Sequence, residues 1–79
     1  MDIKITTEYI KLDSLLKLAE IAPSGGVAKV MIAAEMVLVN DELCTMRGKK
    51  IRDGDRVTIN LYNDKDEIEE VVDILVKGE

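Results

Sequence analysis

Few of the residue types that carry out covalent chemistry are present in this chain of 79 residues. It has no histidine and one cysteine, Cys44, so nucleophile–base pairs and His/Cys metal sites have no material to be built from. Carboxylates are plentiful, but they fall in turns or toward the C-terminus. The pair in Asp53-Gly54-Asp55 reads as turn chemistry before it reads as an ion site. Gly25-Gly26 followed by Lys29 lacks the frame of a P-loop. What remains can grip an anion rather than transform one. Ser24-Gly25-Gly26 suits the start of a helix, where free backbone N–H groups and the helix dipole favour a phosphate. Lys29 lies one turn further in. Arg47-Gly48-Lys49-Lys50 offers positive charge around a glycine that lets another backbone come close. The plainer alternative is that Gly25-Gly26 permits close helix packing and that the basic loop is a solvated turn.

The net charge of −5 argues against nucleic acid until its distribution is followed. Residues 1–59 hold nine basic residues, Lys4, Lys11, Lys17, Lys29, Arg47, Lys49, Lys50, Arg52 and Arg56, and nine acidic ones. Residues 60–79 carry seven acids against Lys65 and Lys77, which accounts for the whole excess. Between Cys44 and Arg56, five basic residues face only Asp53 and Asp55. The chain carries a local basic patch on an acidic background.

The elements that must hold these residues follow from the apolar period. Ile3–Thr7 alternates and is β-branched, which predicts a strand. Leu12, Leu15, Leu16 and Ala19 form one face of a helix, widened by Leu18 and ended by Pro23. Ser24 caps a second helix, whose core face is predicted at Val27, Val30, Met31 and Ala34. Beyond Met36 the period becomes two. Val37–Val39 is a strand, Asn40-Asp41 a tight turn of residues that tolerate positive φ, and Glu42–Cys44 the return. Asp53-Gly54-Asp55 turns the chain into the strand 56–61, and 63–66 is a loop. The last segment fits a helix through Ile68, Val71, Val72 and Leu75, with Asp64 and Glu67 as a capping box. It also fits a strand, and its β-branched content favours a strand returning against 56–61.

One domain over 1–79 is expected, with a motif core at about 9–61 and an acidic extension at 62–79. With no Trp or Phe and only Tyr9 and Tyr62 as aromatics, its core must be aliphatic. A cytoplasmic protein is expected: the lone cysteine can form no internal disulfide, no apolar run spans a membrane, and Met1-Asp2-Ile3-Lys4 is not a signal peptide.

The blocks Lys11–Leu16, Ser24-Gly25-Gly26-Val27-Ala28-Lys29, Val37–Glu42, Arg47–Ile51 and Asp53–Val57 resemble, in that order, the S4 RNA-binding domain. The likeness is greatest to small stand-alone bacterial S4-like proteins of the YaaA/YbcJ type, and it covers roughly residues 3–61. It implies an α+β fold with the S4-like (alpha-L) motif: two short helices on a small, mostly antiparallel sheet, here with a C-terminal β-hairpin if the last segment is a strand. It implies RNA docking along the second helix and the following hairpin, through Ser24, Gly25, Gly26, Lys29, Asn40, Arg47, Gly48, Lys49 and Lys50. The residue types make a non-enzymatic protein without cofactor or metal the expectation, and an aliphatic edge strand near 68–76 allows a monomer or weak dimer. Contacts from helix N-termini and Lys/Arg read phosphates and shape, so structured RNA, foremost ribosomal RNA, is the expected partner.

Two departures stand out. Glu35-Met36 occupies the turn where the family commonly has glycine, which implies a turn built differently, and Asp41 replaces a hairpin glycine. The acidic extension suggests an alternative, a protein–protein interaction module. A likeness of 39–57 to part of the β-grasp sulfur carriers is weaker, since those proteins end in Gly-Gly and this chain ends Lys77-Gly78-Glu79.

Overall fold

The computed structural model describes residues 1–78. Its larger sheet has five strands in the order β1 (Asp2–Ile5), β7 (Ile68–Gly78), β6 (Arg56–Tyr62), β3 (Val37–Val39) and β4 (Glu42–Leu43). All neighbours pair antiparallel except β1 and β7, so the sheet is mixed. Helices α1 (Leu12–Leu18) and α2 (Gly25–Ala33) pack together and on this sheet. A separate ribbon joins β2 (Ile10–Lys11) to β5 (Lys50–Ile51).

The core is aliphatic, as the composition requires. Leu12, Leu15 and Leu16 of α1 and Ala28, Met31 and Ile32 of α2 meet Val37, Val57, Ile59, Ile74 and Val76 of the sheet. The final segment is a strand. Val72, Ile74 and Val76 turn inward while Val71, Asp73 and Leu75 turn out, the alternation of a half-buried antiparallel strand.

The helices depart from the expected pattern. The core face of α2 is Ala28, Met31 and Ile32, whereas Val27 and Val30 are 40% and 66% exposed. Apolar residues run almost all round this helix, so periodicity alone could not choose the face. Leu18 likewise lies in solvent, 55% exposed.

Helix α1 stops at Leu18, well before Pro23. Glu20 takes a left-handed φ of 61°, and the amides of Glu20 and Ile21 donate to the carbonyls of Lys17 and Leu16. Helix α2 ends the same way: Glu35 has φ 63°, and Glu35 and Met36 donate to Ile32 and Met31. Both are Schellman ends, which usually place glycine where these glutamates stand. The turn at Glu35-Met36 therefore keeps the left-handed geometry a glycine would give and makes it with a strained residue instead. The first strand is also shorter than the sequence implied, ending at Ile5 rather than Thr7.

Candidate nucleic-acid interface

The two helix starts differ in a way that matters for binding. At α1 the first amides are taken up inside the chain: Leu12 N–H donates to the Lys49 carbonyl at 2.9 Å and Asp13 N–H to the Arg47 carbonyl at 3.1 Å. These bonds fix the basic loop against the helix. At α2 the cap expected from the sequence is present, with Ser24 Oγ accepting from Val27 N–H at 3.3 Å. The Gly25 and Gly26 amides have no acceptor among the described residues. Both glycines are exposed, and neither has a positive φ.

A Cβ added at Gly25 would meet nothing within 4 Å, and one at Gly26 would meet only Ser24 Oγ, at 3.8 Å. Close helix packing therefore does not explain these glycines. A Cβ added at Gly48 in the basic loop would also meet nothing within 4 Å.

The basic residues are drawn together by the small ribbon. Lys11 lies directly across from Lys50 in the β2–β5 pairing. Lys50 Nζ sits 4.9 Å from the centre of the Tyr9 ring and Arg52 Cζ 5.7 Å from it, within cation–π range. Lys11, Arg47, Lys49, Lys50 and Arg52 are all exposed. The one ion pair among the described residues is Lys77–Asp2, 3.1 Å apart, so no carboxylate neutralises these cations at contact distance. Two lysines facing each other across a strand pair oppose folding. An anion laid over them would remove that repulsion.

The sequence singles out Arg47, Lys49 and Lys50 and places Arg52 in the same basic patch, but gives no sign of Tyr9 or Lys11. No local spacing signals that group, because only the β2–β5 pairing brings residue 11 to residue 50. Lys29 is exposed on α2, one turn beyond the free amides.

Asn40 has structural work in the hairpin. Its φ of 51° and the φ of 67° at Asp41 make the tight β3–β4 turn expected of that pair. Its Nδ2 donates to Asp55 Oδ1 at 3.1 Å and its Oδ1 accepts from Arg56 N–H at 3.0 Å. The amide thus ties this turn to the turn before β6. Asp55 Oδ2 accepts from Arg52 N–H, and Asp53 Oδ1 accepts from Gly78 N–H. Asp53-Gly54-Asp55 spends its carboxylates on the protein's own amides, around Gly54 at φ 87°. Cys44 is half-buried beside the hairpin, with its thiol 3.7 Å from the Met46 carbonyl.

Two short helices on a sheet, an open glycine-led helix start and a cation ribbon packed against α1 make a small α+β domain with a surface suited to anions. Comparison with known proteins makes the class specific. The family model described as "S4 domain" matches residues 3–69, and the chain belongs to that family. It is also 49% identical over 57 residues to a protein of Bacillus subtilis (strain 168) named "Probable ribosome maturation protein RlbA". The match spans 72% of this chain and 80% of that relative.

Proposed function

We propose that the protein binds structured RNA, foremost ribosomal RNA, as a non-enzymatic factor of the cytoplasm with a role at the ribosome. The observation that carries this reading is the cation group of Lys11, Arg47, Lys49, Lys50 and Arg52, fixed by backbone bonds and facing solvent without a neutralising carboxylate. With the backbone that carries these side chains held in place before binding, the loop itself need not be ordered on meeting phosphates. The free amides of Gly25 and Gly26 add neutral donors of the kind that donate to a phosphate oxygen, and Lys29 adds charge beside them.

Gly48 leaves room for a nucleic-acid backbone to approach the loop, and Tyr9 steers Lys50 and Arg52. Asn40 shapes the hairpin from behind, its amide being engaged within the chain. The name of the Bacillus subtilis relative, a probable ribosome maturation protein, supports ribosomal RNA as the target.

The test is binding of the purified protein to labelled ribosomal RNA fragments across a salt series. Five phosphate contacts give a slope of log affinity against log salt on the order of −3 to −5. The Lys49→Glu/Lys50→Glu variant, with its fold checked by circular dichroism, should lose binding at every salt concentration. Wild-type binding that ignores salt, or a variant that binds as well, rules the reading out.

A further inference from the structure

The β6–β7 hairpin outruns the rest of the sheet. Strand β7 is eleven residues long, yet β1 pairs only with its end, from Leu75 to Gly78. Just before that stretch the Met1 ammonium donates to the Asp73 carbonyl at 2.9 Å, and Leu75 N–H donates to the Met1 carbonyl. From Val71 onward the odd-numbered residues of β7 therefore direct their backbone groups toward the β1 side, while Val76 N–H bonds to the Asp55 carbonyl on the β6 side; a register shift opposite Leu61 and Tyr62 interrupts the alternation before Glu70. By the two-residue alternation of a strand, Val71 presents its N–H and C=O along an edge that β1 does not reach.

The side chains there are unusual for an open edge. Tyr62, Ile68 and Val71 are 42%, 54% and 53% exposed, and Tyr62 pairs with Ile68 across the hairpin. Around them stand Asp64, Asp66, Glu67, Glu69 and Glu70, with Lys65 alone to offset them. Apolar side chains and unmet strand donors invite a further strand, and the acids select its charge. RNA phosphates are repelled. A second copy meeting this edge through a two-fold axis would bring the same acids face to face.

We propose that the edge of β7 between Ile68 and Val72 takes up an extended, cationic segment of a partner protein as an added strand. Its apolar side chains lie on Ile68 and Val71, with Tyr62 behind them, and its basic ones face Glu69 and Glu70. The site is far from the cation ribbon. Arg52 closes the turn that leads into β6 at Arg56, while the hairpin turn follows Tyr62, about 20 Å away along a seven-residue strand. The protein then has two recognition ends, one for phosphate and one for a basic polypeptide.

The experiment is a backbone-amide NMR titration of the full chain with an acetylated octapeptide of alternating lysine and valine. Expected are shifts confined to residues 62–72, slowed exchange of the Val71 amide, and affinity at least tenfold weaker in Glu69→Lys/Glu70→Lys. Val71→Lys should weaken it likewise, whereas Lys49→Glu/Lys50→Glu should leave it unchanged. Three controls can overturn the proposal. Equal binding of a lysine–glycine octapeptide reduces the effect to charge alone. Equal binding of a peptide N-methylated at alternate residues excludes an added strand. Shifts at 68–72 produced by RNA, or by raising the protein concentration alone, assign the edge to another occupant. Absence of binding at millimolar peptide also overturns it.

Discussion

Replacing Gly25 and Gly26 by alanine separates what the fold needs from what a partner needs. Glycine in a helix costs roughly 0.5–1 kcal/mol relative to alanine because the unfolded chain has more freedom to lose. Nothing in the structure offsets that cost. Neither φ is positive, the Cβ at Gly25 meets no atom within 4 Å, and that at Gly26 makes ordinary contact with Ser24 Oγ at 3.8 Å. Both positions lie in the first turn, where the helical gain is smaller, so the double variant should gain about 1 kcal/mol. For a domain of this size that is about 4–8 °C in Tm, readable by circular dichroism melting and urea titration. RNA affinity should fall at least tenfold, because two methyl groups then stand over the amides that a phosphate must reach. Higher stability with weaker binding is the expected signature. An alanine pair that binds like the wild type removes the helix start from the interface. A destabilised pair shows that the glycines serve the fold after all.

Glu35→Gly relieves a left-handed residue and removes an anion from a helix C-terminus, and should stabilise the protein by about 1 kcal/mol. Glu35→Ala should recover only a few tenths in the same urea titration; an equal gain in both means that charge, not backbone strain, is the cost. Asn40→Ala loses the bonds to Arg56 and Asp55 and puts alanine at φ 51°, so a loss of about 2 kcal/mol is expected. RNA affinity, measured well below its Tm, should stay within twofold of wild type, and a larger drop would place Asn40 in the interface. Lys11→Glu should stabilise the ribbon by about 0.2–1 kcal/mol through attraction to Lys50 while weakening RNA binding and lowering the salt slope. Stronger RNA binding in that variant would contradict the phosphate role of the ribbon.

Local signals were readable because local chemistry fixes them. Ser24 caps the helix it seemed to cap, Asn40-Asp41 makes its left-handed turn, and the change to a period of two after Met36 marks strands that form. The face of α2 was misread because Val27 and Val30 are as apolar as Ala28 and Ile32, and only the sheet beneath decides which side is covered. The cation group was half visible. Arg47, Lys49 and Lys50 are neighbours in sequence, but Lys11 and Tyr9 reach them through the two-residue strands β2 and β5, too short to leave a periodic trace. The acidic segment revealed its strand character and its charge. Its open edge depends on where β1 stops, which is a fact about pairing rather than composition.

The parallel pairing of β1 with β7 also sets an order of events in folding. The contact between Met1 and Asp73 spans 72 positions, and closing a loop of that length in an otherwise unfolded chain costs about 4 kcal/mol of entropy. The hairpins β3–β4 and β6–β7 and the two helices close much shorter loops and are expected to assemble first. Once they stand, they hold the landing site for β1 nearby, and most of that cost disappears. During synthesis the first strand emerges first and docks last, because Leu75–Gly78 must leave the ribosome before Asp2–Ile5 has a partner. Until then Ile3 and Ile5 have no strand to pair with, and the edge of β7 from Leu75 to Gly78 stands open. For this protein the sheet cannot be completed until the far end of β7, its last strand, is available to β1.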